Sequence, residues 1–129
     1  MNKLNNHGQT LIMFVMLIPV ILILMALVID VAYLYRENAK LESTTKSVIK
    51  NLYDNKDDPN INNMVIELYK KNNINIDNLK INIKNENFKI KNNYKIDSIF
   101  GKIIGLKKYE VKVSFKGYYE ENKLKVIKE

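Results

Sequence analysis

The sequence predicts an α+β protein in which a long N-terminal transmembrane helix continues into an amphipathic helix, followed by a second helix and a small antiparallel β-sheet. Three observations predict it. Leu11 to Ile29 is an unbroken run of nineteen apolar residues. Beyond Asp30 the apolar residues recur at helical spacing as far as Leu52. After Ile74 the spacing changes from the helical period to alternation.

The span rests on length and purity. At a rise of about 1.5 Å per residue the run makes a helix of roughly 28 Å, close to the ~30 Å hydrocarbon thickness of a bilayer. A helix buried in a soluble core of that length normally keeps a polar stripe, and none is present here. A cleaved signal peptide has a shorter apolar region ending in small residues, whereas Leu24-Met25-Ala26 and Asp30-Val31-Ala32 make poor cleavage contexts. The segment therefore reads as a retained anchor. Pro19 falls in mid-span, where it removes a backbone hydrogen bond that membrane helices can spare. Asp30, the first charge after the run, reads as a marker of the membrane edge that need not be buried. Tyr33 and Tyr35 follow it, where tyrosine anchors a helix among headgroups.

Leu34, Leu41 and Val48 recur every seven residues, with Thr45 and Leu52 filling the turns between. This stripe predicts that the span runs on as one helix to about Tyr53, with one narrow face to bury. That face either covers the chain's own sheet or packs on a neighbouring subunit, which makes Leu34, Leu41, Val48 and Leu52 the candidate partner contacts. Asp54-Asn55-Lys56-Asp57-Asp58-Pro59-Asn60 carries the turn chemistry that ends it. Asp58 before Pro59 predicts the N-cap of a second helix, whose apolar face is Ile61, Met64, Val65, Leu68 and Tyr69 and whose end is Asn72-Asn73.

Leu79, Ile81 and Ile83 then alternate with Lys80, Asn82 and Lys84, and Phe88 and Ile90 with Lys89 and Lys91, across a turn at Asn85-Glu86-Asn87. Ile99, Phe100, Ile103, Ile104 and Leu106, set among Gly101 and Gly105, predict a short helix or turn after Asp97-Ser98. Tyr109, Val111, Val113 and Phe115 form the strongest alternating strand. After a connection from Gly117 to Asn122, Leu124 and Val126 predict an edge strand guarded by lysines.

The formal net charge is +7, from 21 Lys and Arg against 14 Asp and Glu. Nucleic acid is nevertheless not the expected partner, because the lysines alternate with Ile and Phe as on a solvated sheet face and Arg36 is the sole arginine. With no cysteine and a single histidine, His7 in the tail, neither a thiolate or histidine metal site nor a Ser-His-Asp triad can be built. Asp54, Asp57 and Asp58 lack the glycine and the bidentate glutamate of a calcium loop and read as solvated turn residues. There is no phosphate-binding glycine loop. The expectation is a protein that is not an enzyme, with no cofactor, no metal and no small-molecule substrate.

His7-Gly8-Gln9-Thr10, an apolar run holding Phe14 and Pro19, and then Asp30-Val31-Ala32-Tyr33-Leu34-Tyr35-Arg36 with Leu41 resemble the N-terminal segment of TadE/TadG-like proteins of Tad (Flp) pilus assembly systems, a branch of the type IV pilus and type II secretion superfamily. The motif residues are Gly8, Pro19 and Asp30. Ser98-Ile99-Phe100-Gly101 leading to Val113 is similar to the C-terminal part of such proteins. One departure bears on processing. The pseudopilins of the family carry a glutamate five residues after the glycine of the cleavage site, and here Met13 holds that place after Gly8. The chain thus looks more like the uncleaved TadG-like anchors.

The resemblance implies a single-pass component of a pilus assembly apparatus with a structural or minor-pilin-like role, whose partners are the membrane and other pilus-assembly proteins. It also implies the orientation. Lys3 and the α-amine lie before the span, Arg36, Lys40, Lys46 and Lys50 after it, and a strict positive-inside count would keep the domain in the cytoplasm. Long domains translocate largely regardless of that count. The expected organisation is a cytoplasmic tail at residues 1–10, the span at 11–29, the amphipathic extension at 30–54 and an extracytoplasmic α+β domain at 55–129. The alternative is a membrane-tethered binding module for anionic cell-wall polymer or lipid, unrelated to pili.

Overall fold

The computed structural model describes residues 2–84 and 87–129, and in the first helix the side chains from His7 onward. Helix α1, Asn2–Asp54, is continuous for 53 residues and passes through Pro19 without a break. The apolar run and the amphipathic segment are therefore one rod, as the stripe predicts. Its two halves live in different surroundings. From Leu11 to Met25 every large apolar side chain stands between 45% and 71% exposed, while Leu41, Val48, Ile49 and Leu52 are completely buried.

What buries the second half is the chain itself. Strands β1 (Lys80–Lys84), β2 (Asn87–Asp97), β3 (Lys108–Glu120) and β4 (Lys123–Lys128) form an antiparallel meander in that order. The register pairs Ile90 with Phe115, Asn92 with Val113 and Tyr94 with Val111. Because strand residues alternate in direction, all of these share the inner face, and α1 lies across it, mainly on β3. Helix α2, Ile61–Lys71, also packs against α1, with Val65 and Tyr69 buried. Thr45 meets Tyr69 there, Oγ1 to Oη 2.9 Å, so the polar members of both faces satisfy one another. Of the candidate partner contacts, Leu41, Val48 and Leu52 are core residues and Leu34 is partly buried against them. The stripe is buried within the chain, and the second half of α1 packs on the sheet and on α2.

Three boundaries differ from the sequence reading, each for a local reason. Helix α2 begins at Ile61 rather than Pro59, because the Asp58 carboxylate accepts the Asn60 N–H at 2.9 Å and closes a turn ahead of the helix. Its other end is as expected: Asn73 takes the left-handed conformation, φ 56°, and the Asn73 and Ile74 N–H groups donate to the carbonyls of Lys70 and Tyr69. Strand β2 runs on to Asp97, past the alternation of Phe88 to Lys91 and through Asn92-Asn93. Asn92 is buried, and its side-chain amide donates to the Asn75 carbonyl at 3.0 Å. Strand β3 continues through Gly117 to Glu120, and Glu121 and Asn122, φ 52° and 62°, make the tight two-residue turn to β4. Of the predicted turn at Asn85-Glu86-Asn87, the first two residues lie outside the described residues and Asn87 opens β2.

Candidate functional site

Among the described residues, the one charged side chain buried where the apolar segment meets the domain is Asp30, 1% exposed. It sits where the apolar run ends, and its carboxylate is met from across the fold by four donors. The backbone N–H groups of Ile99 and Phe100 donate to Oδ1 at 3.2 and 2.9 Å, and that of Gly101 donates to Oδ2 at 2.6 Å. The Tyr109 hydroxyl donates to Oδ2 at 2.8 Å. The reading of Asp30 as a marker that need not be buried is thereby corrected: both oxygens are used, and the charge is bound by a concavity of successive amides, an anion nest.

The loop between β2 and β3 is shaped to present those amides. Ser98 N–H donates to the Lys107 carbonyl at 2.9 Å and closes the loop's neck. Inside it Ile103 N–H donates to Phe100 and Leu106 N–H to Gly101, so Gly101–Ile104 forms one 3-10 turn. Gly105, φ 92°, reverses the chain after it in a conformation that disfavours any Cβ. Gly101 is required for a different reason. A Cβ there would meet the Tyr109 hydroxyl, with Asp30 Oδ2 and the Leu106 carbonyl both 2.8 Å away. The amide reaches the carboxylate only because no side chain intervenes.

The electrostatics follow from the donors. Burial pushes the Asp30 carboxyl up, but the Phe100 amide, the Tyr109 hydroxyl and the Gly101 and Ile99 amides together hold it below its ordinary 3.8. Tyr109 is driven the opposite way, first by donating to Asp30 and then by burial and the Asp30 charge. Asp30 is thus a fixed anion with every acceptor site turned inward. Its lowered pKa suits a clamp and not a general acid.

The remaining candidates are placed as follows. Gly8 is a helical residue whose Cβ position, apart from its own turn of helix, meets none of the described residues within 4 Å, and Leu11, Pro19 and Ile29 belong to the exposed part of the rod. Asp54 and Asp57 are exposed, and Asp58 serves its own turn. Among the described residues no group of three or more acidic, histidine or cysteine side chains is arranged to hold a metal. Of the motif residues Gly8, Pro19 and Asp30, only Asp30 has a tertiary partner. Sequence reasoning noted the apolar turn at Ser98–Leu106 but did not join it to Asp30, because three of the four donors are backbone amides. A glycine immediately before a lysine-studded apolar turn was the available signal.

No curated protein matches the chain. No solved structure matches it either. Residues 8–45 match the family model described as Tad, "Putative Flp pilus-assembly TadE/G-like". That match takes in Gly8, Pro19, the whole apolar run and the buried Asp30, and over this N-terminal stretch the chain is similar to TadE/TadG-like proteins.

Proposed function

We propose that the chain is a single-pass membrane component of a Tad/Flp-type pilus assembly apparatus, with a structural, minor-pilin-like role and no catalytic one. The observation that carries this reading is a coincidence of position. The TadE/G-like match takes in an apolar segment whose large side chains from Leu11 to Met25 are all exposed, and it ends within the helix that forms the domain's core. In this reading Leu11 to Ile29 crosses the membrane with the N-terminus cytoplasmic, and residues 30–129 stand outside it. The domain is coupled to the span twice, through unbroken α1 and through the Asp30 nest. Partner contacts fall to the exposed surfaces left over, foremost the two open sheet edges, β1 and β4.

Protease shaving of wall-stripped cells carrying a C-terminal epitope tag tests this orientation. Loss of the tag while a cytoplasmic protein survives is the expected result. A tag protected until the membrane is opened would put the domain in the cytoplasm and sink the assembly role.

A second reading has one observation in its favour. The register that buries Ile90 and Phe115 sets Lys80, Lys89, Lys91, Lys95, Lys112 and Lys116 on the opposite face of the sheet. Such a face would attract an anionic wall polymer or lipid. Binding of the full chain to soluble wall polymer that weakens steeply with salt supports this second reading, and no binding even at low salt removes it.

A further inference from the structure

The loop that clasps Asp30 carries a surface that the clasp does not explain. Ile99, Phe100, Ile103, Ile104 and Leu106 are all exposed, and Ile103, at 77%, is more exposed than any large apolar side chain from Leu11 to Met25. Five exposed apolar side chains within eight residues make a contiguous patch of the kind that marks a contact surface. Its position is fixed by Asp30. The hydrogen bonds from Ile99, Phe100 and Gly101 tie the patch to the first residue beyond the apolar run. One turn nearer the N-terminus on the same helix face, about 4.5 Å along the axis, Leu27 is partly covered, while Val28 and Ile29 remain exposed. The 3-10 turn packs on α1, with the Gly101 amide on Asp30. Wherever the last turn of the span sits in a bilayer, this loop sits beside it.

We infer that residues 99–106 form a second membrane contact, an apolar wedge that enters the lipid interface alongside the outer end of the span. The inference rests on the reading of Leu11 to Ile29 as a membrane span. The occupant it names is lipid, on two grounds. The patch is continuous with the apolar surface of the span's end, where acyl chains and headgroups already meet. Its polar members, Lys102 and Lys107, are exposed cations next to apolar side chains, the pairing that lets a segment lie in an interface against anionic headgroups. Phe100 and Tyr109 add aromatic rings at the same level. With both oxygens of its carboxylate taken up by four donors, Asp30 can lie close to that depth with its charge turned into the fold and away from lipid. The domain would then touch the bilayer at two points, and its sheet would have a set tilt to the membrane rather than turn about the helix axis.

The chain contains no tryptophan, so one introduced residue is a unique probe. Full-length Ile103→Trp, Ile104→Trp, Leu17→Trp and Lys123→Trp variants would be reconstituted in vesicles of phosphatidylcholine and phosphatidylglycerol. Quenching would be measured with lipids brominated near the head or near the end of the acyl chain, and with aqueous iodide. The expected result is blue-shifted emission from Ile103→Trp and Ile104→Trp, most of it lost to bromine near the headgroup and little to iodide. Leu17→Trp should respond to deep bromine, and Lys123→Trp, in the far hairpin, to iodide alone. If Leu17→Trp responds to lipid but both loop probes respond only to iodide, the wedge is overturned while the span stands. If both loop probes are shielded from bromine and iodide alike, a protein covers the loop and the assignment to lipid fails. If Leu17→Trp itself is reached by iodide and not by lipid, the span reading fails and takes the wedge with it.

Discussion

Replacing Asp30 with Asn is expected to release the loop from the helix while leaving the sheet in place. The carboxylate offers two acceptor oxygens to four donors, at 2.6 to 3.2 Å. An amide of the same shape offers one oxygen, and its NH2, on whichever side it falls, would be turned toward at least one backbone N–H that cannot accept a hydrogen bond. Each hydrogen bond to a charged acceptor is stronger than its neutral counterpart, and the donors left behind are desolvated without a partner. In full-length protein in lipid nanodiscs, the Ile99, Phe100 and Gly101 amides should exchange with solvent roughly ten- to a hundredfold faster. The β2–β3 ladder amides should keep their protection. Gly101→Ala should give the same pattern by another route, since its Cβ would occupy the space between Asp30 Oδ2, the Leu106 carbonyl and the Tyr109 hydroxyl. Unchanged exchange at the three loop amides in Asp30→Asn would mean that the carboxylate is not what holds the loop.

The same contact sets a pH dependence whose sign is fixed by the lowered pKa. Asp30 binds its proton more weakly in the folded state than its ordinary 3.8, because the donors favour the anion by more than burial disfavours it. The stabilisation is therefore complete above the ordinary value and disappears as pH falls through the folded one. The loop is expected to stay clasped at every pH above about 4 and to open only in stronger acid. The Gly101 amide proton reports this directly. Its chemical shift should be flat through neutrality and titrate below the usual carboxylate range in the parent, and the titration should be absent in Asp30→Asn. A titration centred between pH 5 and 7 would contradict the nest.

What the sequence revealed and what it hid divide along a physical line. Apolar periodicity specifies which face of an element is buried, so the rod from Leu11 to Tyr53, the stripe through Leu41 and Val48, the face of α2 and the alternation of β3 were all legible. Where the outcome depended on a polar residue's partner, residue type misled. The alternation of Phe88 to Lys91 gave no sign that the strand runs on, and Asn92 lies inside the sheet because the Asn75 carbonyl is there to receive its amide. Gly117 reads as the end of a strand, yet it is the point where β3 passes beneath α1. Asp30 is the extreme case. Its partners lie 69 to 79 residues away, three of them are backbone amides with no side-chain signature, and the fourth, Tyr109, reads in the sequence as one more apolar position in a strand. Apolar pattern carried the fold, and the clamp that joins span to domain depended on main-chain geometry that pattern does not encode.

At the opposite end of the helix–sheet contact, Gly117 and Ile49 are expected to behave as a coupled pair. A Cβ on Gly117 would stand 2.5 Å from Ile49 Cγ2. Both elements are held on either side: Ile49 is completely buried on α1, and β3 is paired with β2 and β4 along its length. Gly117→Ala must therefore push the helix away from the sheet or force the Ile49 side chain from its rotamer, an overpacking cost of about 1–3 kcal/mol. Ile49→Ala alone leaves a cavity and should cost about 2–5 kcal/mol. In the double variant the new methyl enters the space the isoleucine vacates. Urea unfolding of the full chain in detergent, followed by circular dichroism of the sheet, should find it more stable than the sum of the single losses by about 0.5–3 kcal/mol. Strict additivity would mean that the helix and sheet relax independently at this crossing. A favourable coupling would identify Gly117 as the position that lets α1 approach β3 closely enough for Leu41, Val48 and Leu52 to be buried by the chain's own sheet.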